Sequence, residues 1–185
     1  DYQLKIYLRN PQTLAAPPEM KALHPLGKSP VISDNGEVFA ETGAIIEYIL
    51  RHYGDGRLQP EMNTLAYDRF SEWMHFAEGS GMFPILLKIF GSYANGDVSK
   101  MLSMADYQMQ KHMAFIEQHL VNQNYLVANE FTAADIHVSF VAQTAKQYMD
   151  LSHFPNILAW LERLHQRPAF KKAEAKAGYF GAAKP

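Results

Sequence analysis

Two short polar stretches contain the residue types needed to bind a small zwitterionic peptide. In Lys28-Ser29-Pro30 the lysine offers a cation to a carboxylate. The proline stands at the start of an apolar run, and the first residue of a strand is a position that tolerates a missing N–H. A cis Ser29-Pro30 bond would turn the N–H and C=O of Ser29 outward, toward an extended ligand. Glu41-Thr42 falls at a predicted helix start, where free backbone N–H groups favour an anion. Thr42 adds a hydroxyl donor, and Glu41 adds an acceptor for an ammonium group.

Five predicted elements surround these stretches and must bring them together. Residues 2–8 alternate and predict a strand, and residues 17–23 predict a short helix with proline in its first turn. Residues 31–33 and 38–40 flank Asn35-Gly36, a strong signal for a tight antiparallel hairpin. Residues 41–53 carry apolar side chains at helical spacing and predict a helix that ends near Gly54. This order predicts a small α/β domain over residues 1–56.

After a linker around residues 58–61, the pattern is helical. Helices are predicted at about 62–90, 99–122, 133–148, 156–167 and 169–177. Pro84 should kink or end the first of them, because it removes a backbone donor and clashes with the preceding turn. Thr132 and Asp135 predict a capping box at the start of the third helix. The sequence therefore predicts an all-helical second domain over residues 62–185.

Composition narrows the class of partner. The 185 residues are 48% hydrophobic, and 17 basic against 19 acidic residues give a formal net charge of −2. No broad cationic surface favours nucleic acid or anionic lipid. The chain has no cysteine, and no apolar run approaches the length of a membrane span. We expect a cytoplasmic protein that binds a small molecule or another protein, with no nucleic acid or membrane partner.

Each polar stretch also has a simpler interpretation. A Gly-Lys-Ser-Pro loop is usually only a loop, and Glu-Thr before a helix is usually only a cap. Gly27-Lys28-Ser29 lacks the glycine spacing and the following helix of a phosphate-binding loop. Taken singly, neither stretch predicts a function, and the prediction depends on their order and spacing.

Two Glu-x-x-His pairs suggest a different class of enzyme, because di-iron bundles use two such pairs and two further glutamates. The pairs are Glu72 with His75 and Glu162 with His165. Both fall on polar helix faces, opposite the apolar residues, so no metal site is expected. Aromatic and methionine side chains also recur along the helix that follows the linker, and we expect them to form core. They are Tyr67, Phe70, Trp73, Met74, Phe76 and Met82.

Four motifs, in order along the chain, resemble those of the cytosolic glutathione transferases. HPLGKSPVI is similar to the family's Asn-Pro-x-Gly-Lys-Val-Pro-x-Leu, ETGAI to its Glu-Ser-x-Ala-Ile, and FTAADI to its Phe-Thr-x-Ala-Asp-Ile. FPNILAWLER followed by RPAF resembles the family's closing helices. The resemblance covers essentially the whole chain. It implies a thioredoxin-like first domain, an α-helical second domain and a homodimer.

By that resemblance, five residues would bind glutathione. Pro30 corresponds to the family's cis-proline, Ser29 supplies main-chain bonds to the cysteinyl part, and Lys28 meets the glycyl carboxylate. Glu41 and Thr42 hold the γ-glutamyl end. Ser29 stands where valine is usual in the family, which matters little if only its backbone is used. The implied activity is detoxifying conjugation of the glutathione thiolate to a small electrophilic substrate.

The same resemblance implies a strand and a helix before residue 1. The thioredoxin-like domain of the family begins strand, helix, strand, and this sequence starts at the second strand. The family's thiol-activating Ser, Tyr or Cys lies in that earlier stretch, so no catalytic residue is assigned within residues 1–185. Two alternatives stay open: a glutathione-binding protein without conjugation activity, and a glutathione-dependent thiol-disulfide oxidoreductase or peroxidase on the same fold.

Overall fold

The computed structural model describes residues 2–13 and 15–177, and its chain divides into two compact units. The first unit covers residues 1–55 and the second covers residues 56–185. The first contains a short sheet and two helices, whereas the second is helical. The last eight residues of the predicted second domain lie outside the described part of the chain.

The first unit is organised around a hairpin. Helix α1 (Pro18–Leu23) leads into strand β1 (Val31–Asp34), which pairs antiparallel with strand β2 (Glu37–Ala40), and helix α2 (Thr42–Tyr53) follows. Asn35 and Gly36 have φ values of 50° and 87°, which is the positive-φ geometry that an Asn-Gly turn supplies. The predicted short helix, hairpin and longer helix are therefore confirmed.

The predicted strand at residues 2–8 is wrong. These residues have no regular secondary structure, and their alternating apolar side chains are exposed, with Leu8 at 82%. A strand needs a neighbour to accept its backbone hydrogen bonds. In the described residues the sheet holds β1 and β2 alone, so the alternation at residues 2–8 finds no partner strand.

The second unit contains six α-helices in its described part. They are α3 (Leu65–Phe76), α4 (Met82–Gly91), α5 (Ser99–His119), α6 (Ala133–Ala145), α7 (Pro155–His165) and α8 (Pro168–Ala177). The predicted helix at 62–90 is thus divided between α3 and α4. No helix in the described ranges is both long and apolar enough to cross a membrane.

A π-helical turn, Ala77–Gly81, separates α3 from α4. The Met82 N–H donates to the Ala77 carbonyl five residues earlier, so the turn is wider than an α-helical turn. Pro84 follows in the first turn of α4 and has no N–H to donate to the turn before it. The predicted disturbance near Pro84 is confirmed, and its form is a widened turn.

Helix α6 forms the centre of the second unit. Nine of its residues are buried, and α3, α4 and α7 contact it. Its entry is fixed by Asp135, which is fully buried and accepts a hydrogen bond from the Thr132 N–H at 2.9 Å. The same carboxylate accepts from the Leu126 N–H and from the Trp160 indole N–H, each at 3.0 Å. The predicted cap therefore also connects α6 to α7 and to the preceding loop.

Candidate functional site

The loop from His24 to Pro30 ends in three consecutive exposed residues before β1. Gly27 has φ 57° and donates its N–H to the His24 carbonyl at 2.8 Å, which closes a tight turn. Lys28, Ser29 and Pro30 follow and are exposed. The Ser29-Pro30 peptide bond is cis, as the family resemblance implies. Among the described residues, neither Lys28 nor Ser29 has a hydrogen-bond or ion-pair partner.

The start of α2 supplies the second part of the site. Glu41 is the N-cap residue, with φ 70° and ψ 119°, and its carbonyl accepts the Ile45 N–H at 2.9 Å. The Glu41 side chain makes no capping hydrogen bond, so its carboxylate does not cap the start of the helix. Thr42 is half-buried in the first helical turn, where backbone N–H groups lack intrahelical partners. This end of α2 favours an anion.

The hairpin register brings the two parts together. Val31 pairs with Ala40, so Pro30 and Glu41 flank the same end of the two strands. Paired residues in an antiparallel ladder lie about 5 Å apart between Cα atoms. The five predicted site residues therefore gather at one end of the hairpin: a cation at Lys28, an open peptide unit at Ser29, and a carboxylate and hydroxyl at Glu41 and Thr42.

The structure adds a polar cluster that the sequence analysis missed. Asp34 Oδ2 accepts a hydrogen bond from the Tyr48 hydroxyl at 2.9 Å and another from the Tyr53 hydroxyl. We call Asp34, Tyr48 and Tyr53 the Asp34 cluster. The bonds from Tyr53 and then Tyr48 lower the pKa of Asp34, and the bond to Asp34 raises the pKa of both tyrosines. The five-residue spacing of the tyrosines fits no single helix stripe, so sequence periodicity offers no signal for the cluster.

The aromatic and methionine stripe of α3 is mainly core. Phe70, Trp73 and Met74 are buried, as predicted. Trp73 also stacks on Phe115 of α5 with ring centroids 5.0 Å apart. Trp73, Phe76 and Phe115 line an open cavity of about 280 Å³ together with three polar side chains. None of the five predicted site residues lines this cavity.

The glutamates of the two Glu-x-x-His pairs are exposed and bond to neighbouring side chains. Glu72 pairs with Arg69 at 2.7 Å on the exposed face of α3, and its side chain is 55% exposed. Glu162 accepts a hydrogen bond from Gln166 on the surface. In the described residues, no group of three or more potential ligands could hold a metal ion.

Comparison with known proteins follows the same division of the chain. The family described as glutathione S-transferase, N-terminal domain, matches residues 1–61, and the family described as glutathione S-transferase, C-terminal domain, matches residues 82–168. A glutathione S-transferase of Actinobacillus pleuropneumoniae superimposes with a TM-score of 0.85 at 33% identity, over 95% of this chain and 81% of that one.

Curated relatives cover nearly the whole sequence. Glutathione S-transferase 3 of Schizosaccharomyces pombe is 31% identical in an alignment that covers 95% of this chain and 77% of that protein. Elongation factor 1-gamma 3 of Oryza sativa is 28% identical over 84% of this chain, but the match covers only 38% of the longer rice protein. Two domain matches and a relative above 30% identity lead to one conclusion: the chain belongs to the glutathione S-transferase family, with a thioredoxin-like N-terminal domain and a helical C-terminal domain.

Proposed function

We propose that this protein is a glutathione transferase that joins the glutathione thiolate to small electrophilic substrates. The main supporting observation is the hairpin register, which gathers Lys28, Ser29 and Pro30 at the same end as Glu41 and Thr42. The polar groups of Lys28 and Ser29 have no partner within the described residues, and the Glu41 side chain does not cap α2. Such uncommitted groups are what a peptide-like ligand requires.

In the proposed complex, each polar group meets one part of glutathione. The Lys28 ammonium pairs with the glycyl carboxylate, and the backbone N–H and C=O of Ser29 pair with the cysteinyl unit. The γ-glutamyl carboxylate accepts from the Thr42 hydroxyl and from N–H groups in the first turn of α2, where the helix dipole favours negative charge. The Glu41 carboxylate accepts from the γ-glutamyl ammonium group.

The proposed reaction is nucleophilic substitution or addition at an electrophilic carbon. Glutathione loses its thiol proton, and the thiolate attacks because it is the nucleophilic form. With an aryl halide, a C–S bond forms, the carbon–halogen bond breaks, and the halide leaves with the bonding electron pair. The residues above hold the tripeptide, and the thiol-activating group is not assigned to any of them.

Two further proposals accompany this activity. We propose that the protein acts in the cytoplasm, because its motifs resemble those of the cytosolic transferases, and that it forms a homodimer. Sedimentation of the purified protein tests the second proposal, and a monomer at all concentrations would contradict it.

The binding site is tested by substituting its charged and hydroxyl groups. We expect Lys28→Ala and Thr42→Ala each to weaken the binding of reduced glutathione by roughly three- to tenfold, because each removes one polar contact with the ligand. Isothermal titration measures the effect, and retention on immobilised glutathione gives an independent check. Lys5→Ala is the matched control, since it removes an exposed lysine outside the proposed site. Unchanged affinity in both site variants would refute the pocket.

The turnover assay separates conjugation from binding alone. The match to an elongation factor 1-gamma shows that chains similar to this one occur in proteins whose names indicate no transferase. A nitroaryl chloride that is consumed only with glutathione and protein supports conjugation. Tight glutathione binding without turnover of aryl halides, peroxides or mixed disulfides would instead support the binding protein.

A further inference from the structure

We propose that the Asp34 cluster is a positioning device for the glutathione site at the opposite end of the hairpin. Asp34 ends β1 and pairs across the ladder with Glu37, next to the turn. Lys28, Ser29 and Pro30 precede the other end of the same strand. A residue at the turn can therefore act on the site only through the strands and helix that join them. This inference rests on the proposed function.

Helix geometry explains how two tyrosines reach one carboxylate. Strand β2 spans about 13 Å from the turn to Ala40. Helix α2 begins directly afterwards at Thr42, and at 1.5 Å per residue Tyr48 and Tyr53 lie about 9 Å and 16 Å further along its axis. The two hydrogen bonds to Asp34 show that α2 runs back along the hairpin toward the turn. The cluster therefore joins the far end of α2 to the far end of β1.

Ring contacts align the helix between the cluster and the site. The Phe39 ring of β2 lies 4.3 Å from the Tyr48 ring, centroid to centroid, and Tyr48 lies 4.3 Å from the His52 ring. Phe39 is paired with Ile32 in the ladder. Tyr48 thus contacts β2 through its ring and β1 through its hydroxyl, which limits both sliding and rotation of α2.

This restraint on α2 holds the conformation of Glu41. Its φ of 70° is unusual for a residue with a side chain, and such a conformation persists only where the surrounding structure holds it. Glu41 is the N-cap of α2 and joins the helix to β2. If α2 shifts against the hairpin, Glu41 and Thr42 move away from Lys28 and Ser29. The Asp34 cluster therefore keeps the two halves of the site in register.

The test compares three variants in the full-length protein: Asp34→Asn, the double change Tyr48→Phe with Tyr53→Phe, and all three changes together. We expect each of the first two to raise the dissociation constant of reduced glutathione by about three- to tenfold. The combined variant should raise the dissociation constant no more than the larger of these two effects, because the three residues act as one unit. In turnover, the KM for glutathione should rise while kcat at saturating glutathione stays unchanged.

Two controls separate positioning from general destabilisation. Arg51→Gln removes an exposed charge on α2 that pairs with Glu47 at 3.5 Å, and it should leave the dissociation constant unchanged. Leu50→Ala destabilises α2 from its buried face. If Asp34→Asn lowers the free energy of unfolding as much as Leu50→Ala does, the cluster has only a structural role and the proposal fails.

Hydrogen exchange in the ligand-free protein gives a readout that does not depend on glutathione. The Ile45 amide donates to the Glu41 carbonyl, and its exchange should accelerate in Asp34→Asn but not in Arg51→Gln. Unchanged exchange and unchanged affinity in Asp34→Asn would overturn the proposal. A wild-type protein that fails to bind glutathione refutes the proposed function, and the positioning of Glu41 is then decided by the exchange result alone.

Discussion

At the scale of the single residue, Asp135 carries more interactions than its motif suggests. The sequence predicts a helix cap, and the cap is present, since the Thr132 N–H donates to its carboxylate. The fully buried carboxylate also accepts from Leu126 and from the indole of Trp160, 25 positions away. Local capping chemistry could be predicted because it joins neighbours three residues apart, whereas the Trp160 bond depends on how α7 packs.

Asp135→Asn should destabilise the protein by about 2–4 kcal/mol, because an amide cannot accept on both of its terminal atoms. One of the buried donors then faces an NH₂ group and loses its partner. Urea unfolding measures the change in the free energy of unfolding. Glu130→Gln makes the same carboxylate-to-amide change at an exposed neighbouring position and should have almost no effect. A loss as small as that of Glu130→Gln would contradict the role assigned to Asp135.

Comparison of the wild type with Asp135→Asn also tests how stability depends on pH. Burial raises the pKa of Asp135 above its ordinary value of 3.8, against the lowering effect of its four hydrogen bonds. Folding therefore favours the protonated carboxyl, and this group's contribution to stability is complete below pH 3.8 and falls as the pH rises through the raised pKa. The stability of the wild type relative to Asp135→Asn should decrease over that window. A difference that increases with pH would show that the hydrogen bonds outweigh burial.

At the scale of the element, the break between α3 and α4 is a π-helical turn, Ala77–Gly81, and its form could not be predicted from Pro84 alone. Proline predicted a disturbance, and the structure places a widened turn just before it. Glu78 of that turn approaches the buried ring of His137 on α6, with its Oε1 3.1 Å from Nε2. Gly81 lies against the same helix, so the turn is shaped by its contact with α6 and not by its own sequence alone.

Two glycines of this turn offer a matched pair of substitutions. A Cβ at Gly81 would lie 2.9 Å from Val141 Cγ1 and 3.3 Å from the Phe76 ring, whereas a Cβ at Gly79 would meet nothing within 4 Å. Gly81→Ala should therefore cost about 1–3 kcal/mol through overpacking. Gly79→Ala should be neutral or stabilise by up to about 1 kcal/mol, because alanine loses less backbone entropy. Thermal unfolding distinguishes the two, and equal effects would show that α6 is not in close contact.

The connection between α5 and α7 is another element-scale feature that the sequence could not indicate. The Glu117 carboxylate of α5 accepts the backbone N–H groups of Asn156 at 3.0 Å and Ile157 at 2.9 Å. These donors belong to the first turn of α7, where they have no intrahelical partner. Helix α7 is therefore capped by a residue 39 positions earlier, so a local capping motif could not predict this cap.

At the scale of the whole molecule, the five proposed binding residues all belong to the first unit, and the extensive helical core belongs to the second. The hairpin that carries the site is short, and its loop is exposed. Exposed loops and strand ends open at low free-energy cost, whereas buried helices such as α6 and α7 open only at higher cost. Ligand binding should therefore slow hydrogen exchange more in the first unit than in the second.

Hydrogen exchange across the whole chain tests that difference. Saturating reduced glutathione should slow exchange most in residues 24–45, which include the loop, the hairpin and the first turn of α2. Residues 155–165 of α7 serve as the internal control and should change least. Protection that is equal in α7 and the hairpin would place glutathione elsewhere or indicate a global effect. In Thr42→Ala, the protection of residues 24–45 should weaken.

The sequence by itself determined the features that depend on neighbours along the chain. These are the Asn35-Gly36 hairpin, the cap at Asp135, most of the helices, and the order of the residues proposed to bind glutathione. Tertiary structure decided the rest, because the deciding contacts are remote in sequence. Residues 2–8 have no partner strand within the described chain despite their alternation. Asp34 meets tyrosines 14 and 19 positions later. The hairpin register brings Pro30 and Glu41 to one end, which turns two ordinary polar stretches into one candidate site.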